Sequence, residues 1–108
     1  MTTFDEREKA FENKFKRDQE LQFKVNNRRN RLLGHWIASQ LGKSGPDADA
    51  YAKEVVMADF DKPGDNDVLQ KVLGDLKAAG KPADAAAVRK QMDRLVDEAK
   101  KQVMEESK

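Results

Sequence analysis

Lys62-Pro63-Gly64-Asp65-Asn66-Asp67-Val68-Leu69-Gln70-Lys71-Val72-Leu73-Gly74-Asp75-Leu76-Lys77-Ala78-Ala79-Gly80-Lys81-Pro82 carries the pattern that organises the whole chain. A proline and a glycine open the segment, and a glycine followed by a proline closes it. Between them Val68, Leu69, Val72, Leu73 and Leu76 recur at steps of one, three and four, which places them on one face of an α-helix. Asp65 is the expected N-terminal cap. Gly80 suits the left-handed residue just past the helix end, where a Cβ would be penalised.

The same punctuation recurs to either side. Pro46, Pro63 and Pro82 each have a glycine close by (Gly45, Gly64, Gly80), and each separates long stretches of helix-favouring residues. Three breaks imply four helices. The first runs from near Phe4 to Leu41, with Thr3 and Glu6 at capping-box spacing and Gly42 as its stop. At some 38 residues it is long for a small domain, and a bend is expected over 17–22. The second runs from Pro46 to Phe60, with Ser44 as cap and Ala48, Tyr51, Ala52, Val55 and Ala58 on one face. The fourth starts at Pro82 or is capped by Asp84, and carries Val88, Met92, Leu95, Ala99 and Val103 at helical steps. No stretch alternates as a strand would. The expected fold is all-α: a four-helix bundle-like domain whose long first helix begins as an amphipathic arm.

With 108 residues the chain has room for one core. Charged residues make up 38% and aromatic residues only 6%, so the core is small and the skin heavily charged. Lys and Arg total 21 against 20 Asp and Glu, a balance that argues against a protein built mainly to hold nucleic acid or anionic membrane. The absence of cysteine excludes disulfide frameworks, thiol catalysis and cysteine-ligated metal sites. The charged N-terminus has no secretory h-region, and the apolar runs are far shorter than the roughly 18 residues that span a bilayer. These features read as a soluble, cytoplasmic protein.

Candidate chemistry is thin. Gly42-Lys43-Ser44 has the end of a phosphate loop, but Ile37 stands where the first glycine belongs and no strand precedes it. The acids of 59–67 fail as a calcium loop: counted from Asp59, Pro63 replaces the third ligand and Gln70 the bidentate glutamate. Turn formation and helix capping explain them better. His35 has no second histidine or cysteine to share a metal. Adjacent acids such as Asp97 and Glu98 diverge by about 100° and do not converge on one substrate. No catalytic residues, metal site or enzymatic activity are expected.

Two surfaces stand out. In the first half of helix one, Phe4, Phe11 and Phe15 form a stripe within about 40°, surrounded by charge. The stripe either packs on the rest of the small domain or belongs to an arm that docks into another protein's groove. Roughly opposite, Arg17, Lys24, Arg28 and Arg31 fall within about 60° of one another as a basic ridge. Residues 1–31 hold nine basic and six acidic groups, and 47–75 hold eight acidic and three basic, so charge is segregated along the chain. The ridge is a solvated face partly neutralised by the acidic helices, or it meets an acidic protein surface, nucleotide phosphates or RNA. RNA ranks last, since few aromatic residues stand beside the ridge to stack bases.

Phe4-Asp5-Glu6-Arg7-Glu8-Lys9-Ala10-Phe11-Glu12, Asp18-Gln19-Glu20-Leu21-Gln22-Phe23-Lys24 and Arg28-Arg29-Asn30-Arg31-Leu32-Leu33-Gly34-His35-Trp36 resemble the zeta subunit of alphaproteobacterial F-type ATP synthases. The resemblance continues through Pro63-Gly64-Asp65, Val68-Leu69 and Val88 to Ala99. It implies a regulatory inhibitor subunit that binds the catalytic head of the rotary enzyme and blocks ATP hydrolysis. Its N-terminal helix would enter between catalytic subunits beside the central shaft, and its bundle would anchor outside. The implied division is an inhibitory arm over 1–18 and a four-helix domain over 19–108. Phe4, Arg7, Glu8, Phe11, Glu12, Lys14, Phe15 and Arg17 would meet the partner, in a segment loose when free that orders on entry. The alternative is a small bundle with a regulatory or assembly role that binds adenine nucleotide, with Lys24, Arg28 and Arg29 on the phosphates of ATP or ADP as a regulatory ligand. No cofactor is required in the first reading. The free protein is expected to be a monomer without nucleic-acid partners, peripheral at the inner membrane only through the ATP synthase.

Overall fold

Residues 3–61 and 64–106 are described in a computed structural model, with side chains over 19–59 and 64–106. The order is α1 (Thr3–Gln40), α2 (Pro46–Asp61), α3 (Asp65–Ala78) and α4 (Ala85–Glu106), with no strand among the described residues. This is the all-α four-helix bundle that the breaks at Pro46, Pro63 and Pro82 imply. α1 passes through 17–22 without interruption. The Thr3–Glu6 capping pair lies outside the described side chains.

The glycines end the helices as expected. At Gly42 (φ 77) and Gly80 (φ 70) the chain enters the left-handed region. Lys43 N–H then donates to Ala38 O (2.8 Å) and Lys81 N–H to Leu76 O (2.9 Å), while Gly42 and Gly80 donate to Ser39 O and Lys77 O. Both ends thus close with the paired bonds of a Schellman motif, satisfying carbonyls that the helix leaves open.

Two caps differ from expectation. The cap position of α2 is Gly45 rather than Ser44, because the turn into Pro46 requires a positive φ (57) and the Gly45 carbonyl accepts from Asp49 N–H at 3.1 Å. Asp65 is the first residue of α3 rather than its cap. The cap is Gly64, with no side-chain capping bond, because Arg29 of α1 takes the Asp65 carboxylate. Asp84 does cap α4, its Oδ1 accepting from the amides of Ala86 (3.0 Å) and Ala87 (3.4 Å).

The core joins Leu33 and Ile37 of α1, Tyr51 and Val55 of α2, the whole expected stripe of α3, and Val88 and Met92 of α4. Leu95 packs at its edge, and Ala99 and Val103 are buried further along α4. Leu21, Val25, Leu32 and Trp36 of α1 are only half-buried. The α1–α2 crossing is close at one point: a Cβ added to Gly34 would lie 2.5 Å from the Ala52 Cα. Ala38 and Ala48, both buried, keep the seam narrow one turn on.

Polar groups bind the helices together as well. Asn30 is fully buried, donating Nδ2–H to Asp59 Oδ2 (2.9 Å) and accepting at Oδ1 from Arg29 Nε–H (2.9 Å). Arg29, 3% exposed, also bonds Asp65 Oδ1 at 2.8 Å, and Asp59 accepts from Gly64 N–H. The middle of α1 is thereby clipped to the α2–α3 turn. Between α2 and α3, Tyr51 Oη–H donates to Asp75 Oδ2 (2.8 Å), which also receives Lys71 Nζ at 3.1 Å. Burial pushes the Tyr51 hydroxyl far above its ordinary value, with the bond to Asp75 acting in the same direction.

Candidate functional site

The long first helix positions every candidate residue. Phe4, Arg7, Glu8, Phe11, Glu12, Lys14, Phe15 and Arg17 all lie on the α1 backbone helix, and their side chains are outside the described residues. Their length of helix exceeds what the bundle can cover. α1 has 38 residues and its longest neighbour, α4, has 22. At 1.5 Å per residue the difference is about 24 Å of helix. The molecule is correspondingly elongated, 66 × 25 × 22 Å.

Where α1 enters the bundle, two open grooves flank its contact with α4. The first, about 590 Å³, lies between α1, α2 and α4. Lys24, Asn27, Arg28 and Arg31 form its α1 wall, Lys53 stands on α2, and Val56, Met57 and Val103 supply apolar surface. Arg28 is braced from α4: its Nη1–H donates to Gln102 Oε1 at 2.8 Å and its Nη2 pairs with Glu106 at 2.6 Å. Among the described residues, Lys24, Arg31 and Lys53 have no ion pair. The described part of the basic ridge therefore lines a groove, and the acid that meets it comes from α4 rather than from α2 or α3.

The structure separates the three residues expected on nucleotide phosphates. Lys24 and Arg28 share the groove. Arg29 points elsewhere, buried and bound to Asp65 and Asn30. Its guanidinium, through that hydrogen bond first, holds the Asp65 carboxyl below its ordinary range. Arg31 belonged to the ridge but was not singled out for phosphate, and Lys53 carried no signal at all. It reaches the groove only because α2 packs back along α1, a fact of tertiary structure that spacing cannot show.

The second groove, about 670 Å³, lies on the other side of the α1–α4 contact. Leu21 and Val25 of α1 face Val96, Val103 and Met104 of α4, with Gln22, Asn26 and Lys100 around them. Met104 is 62% exposed. His35 stands apart from both grooves, half-exposed, its Nε2 3.5 Å from Asp49 Oδ1. Among the described residues no three His, Cys, Asp or Glu side chains gather as a metal site. Asp59 and Asp65 of the acidic turn are engaged by Asn30, Gly64 and Arg29. No helix among the described residues is long and apolar enough to cross a membrane.

The family described as ATPase inhibitor subunit zeta matches residues 1–102, which span α1, α2, α3 and most of α4. The chain belongs to that family. A solution NMR structure is similar at 51% identity and a TM-score of 0.70, over 80% of this chain and 98% of that chain. No curated protein matches. Family membership supports an inhibitory role on an ATPase and implies interaction with the ATP synthase. Membership of an inhibitor-subunit family suggests a non-catalytic, regulatory protein.

Proposed function

We propose that the chain blocks ATP hydrolysis by inserting residues 1–18 of α1 into an interface between catalytic subunits of the ATP synthase head, beside the rotating shaft, while 19–108 stay outside as the anchoring bundle. The observation that carries this reading is the surplus of helix: α1 outruns its longest neighbour by about 24 Å. A stripe of Phe4, Phe11 and Phe15 on that surplus provides apolar anchors, each contributing roughly 1.5–3 kcal/mol if fully buried in a partner. Arg7, Lys14 and Arg17 alternating with Glu8 and Glu12 set the register by charge complementarity.

The inserted helix acts as a wedge in an interface that must open and close in each catalytic cycle, so the head stalls. Hydrolysis by the purified head, measured with the full chain and with a chain lacking residues 1–18, tests the reading. Inhibition by the full chain alone is expected. Equal inhibition by the truncated chain would refute it.

A second reading rests on the first groove. Lys24, Arg28, Arg31 and Lys53 converge there, which suits the phosphates of ATP or ADP as a regulatory ligand. Titration with ADP should shift amide resonances around these four residues, and Arg31→Glu with Lys53→Glu should abolish the shift. Resonances that do not move at millimolar nucleotide would remove this reading without touching the first.

A further inference from the structure

Arg28 already holds a carboxylate. Its Nη2 pairs with Glu106 at 2.6 Å and its Nη1–H donates to Gln102 Oε1 at 2.8 Å, so both terminal nitrogens of the guanidinium are taken by α4. Among the described residues Glu106 is the only acid lining the first groove, against Lys24, Arg28, Arg31 and Lys53. A groove suited to anions thus contains one anion of its own.

α4 presents that anion as part of a row. Glu98, Gln102 and Glu106 follow at four-residue steps on one face of the helix. Gln102 Nε2–H donates to Glu98 Oε1 at 3.1 Å, which turns the amide oxygen toward Arg28. The last turn of α4 carries Glu105 and Glu106 and no base, the wrong sign for the negative end of a helix dipole. Arg28 supplies the missing cation from α1. The contact is nonetheless open to water, with the Arg28 side chain 26% and the Glu106 side chain 57% exposed. An ion pair so placed contributes little and exchanges readily for a stronger one.

We propose that Glu106 is a built-in competitor for the anion position on Arg28, so that the phosphate chain of a nucleotide enters the first groove only by displacing it and thereby releases the last turn of α4. The proposal rests on the reading of this groove as a phosphate site and adds its regulation. Phosphate oxygens meet a guanidinium in the same forked geometry as a carboxylate, so the two cannot hold the Nη1 and Nη2 edge together. With Lys24, Arg31 and Lys53 around it, a di- or triphosphate outcompetes the single carboxylate. Inorganic phosphate, with one group, reaches fewer of these cations and competes less well.

Coupling of this kind runs both ways. The brace between α4 and α1 and the bound phosphate chain exclude one another, so each weakens the other by the same factor. Ligand therefore changes how firmly the end of α4 holds α1 at position 28, beyond the arm and without touching it.

The test titrates the full chain with ADP, pyrophosphate, inorganic phosphate and adenosine, read by amide resonances, in the natural chain, Glu106→Gln and Glu105→Gln. Glu105 is exposed, lies about 100° round the helix from Glu106 and does not line the groove, so its replacement makes the same change in net charge and serves as the control. Glu106→Gln is expected to tighten ADP and pyrophosphate about fivefold, equivalent to about 1 kcal/mol and at the top of the range for a partly exposed pair, with Glu105→Gln within about twofold. Adenosine should gain nothing. In the natural chain, saturating pyrophosphate should speed amide hydrogen exchange over 102–106 several-fold, and in Glu106→Gln exchange there should be fast without ligand.

Equal affinities for Glu106→Gln and Glu105→Gln would overturn the competitor and leave the phosphate reading standing. Exchange over 102–106 that stays slow at saturating pyrophosphate would do the same. No resonance shift at millimolar ADP or pyrophosphate in any of these chains would remove the phosphate reading and the competitor with it. Adenosine binding as tightly as ADP would show that the phosphates do not sit on Arg28, and would overturn both.

Discussion

Gly34 and Gly74 are both helix-interior glycines, and replacing each with alanine should move stability in opposite directions. On propensity alone each change favours folding by about 0.8–1 kcal/mol, because alanine gives up less backbone freedom than glycine. At Gly74 nothing lies within 4 Å of the added Cβ, so that gain is realised in full. At Gly34 the new carbon would sit 2.5 Å from the Ala52 Cα and 3.1 Å from its Cβ, where ordinary contact begins at 3.4 Å. The atom it meets is backbone and cannot rotate away. α1 and α2 must part by about 1 Å along the seam that holds Leu33, Ile37 and Val55, and overpacking of this kind costs about 1–3 kcal/mol or more. The net expectation is a loss of about 1–2 kcal/mol for Gly34→Ala. At about 4–8 °C per kcal/mol for a domain of this size, Tm falls by about 5–15 °C for Gly34→Ala and rises by about 4–8 °C for Gly74→Ala. Urea and thermal unfolding followed by helical circular dichroism read both changes. A Gly34→Ala protein as stable as Gly74→Ala would show that the two backbones do not touch at Ala52.

Arg29→Met keeps the buried stem but strands Asn30 Oδ1 and frees Asp65, so a loss of about 2–3 kcal/mol in urea unfolding is expected. The same variant tests the acid response. The folded Asp65 carboxyl titrates below its ordinary 3.8, so its bond to Arg29 contributes fully above that pH and is lost as pH falls through the lower folded value. Acid destabilisation below about pH 4 should therefore be shallower in Arg29→Met than in the natural chain, and parallel curves would contradict the linkage. Asp84→Ala removes both capping bonds at the start of α4 and should cost about 1 kcal/mol. Thermal unfolding checks this, and a change below about 0.3 kcal/mol would mean that the α4 start is held by packing instead.

The helix count and most of the core were legible because they depend on local rules. Proline and glycine mark the breaks, and the stripe of α3 is buried residue for residue as its spacing requires. What escaped detection depends on partners distant in sequence. Arg29, expected on nucleotide phosphates, and its neighbour Asn30 are among the most buried of the described side chains, because Asp65 and Asp59 reach them from 36 and 29 residues away. The same pairing explains why Asp65 does not cap α3: its carboxylate has a stronger, charged donor than a backbone amide. Gly34 gave no hint of its role, since a glycine inside a helix reads only as a weakness until a second helix is seen lying against it. The ridge was visible as a charge pattern, but Lys53, which completes the groove, belongs to a different helix.

That the first residues and the core share one helix has a consequence for how that helix forms. Starting a helix is the unfavourable step, with a nucleation constant of about 10⁻³, whereas adding residues to an existing helix is close to neutral. Residues 19–40 of α1 are held in helical form by α2, α3 and α4, so the arm grows from a ready template, one residue at a time. A free peptide of residues 1–18 has no such template and must nucleate on its own, at a length where isolated helices are marginal in water. The bundle thus supplies the arm with its first turn, and detaching the two would weaken the arm even if every contact it makes were kept.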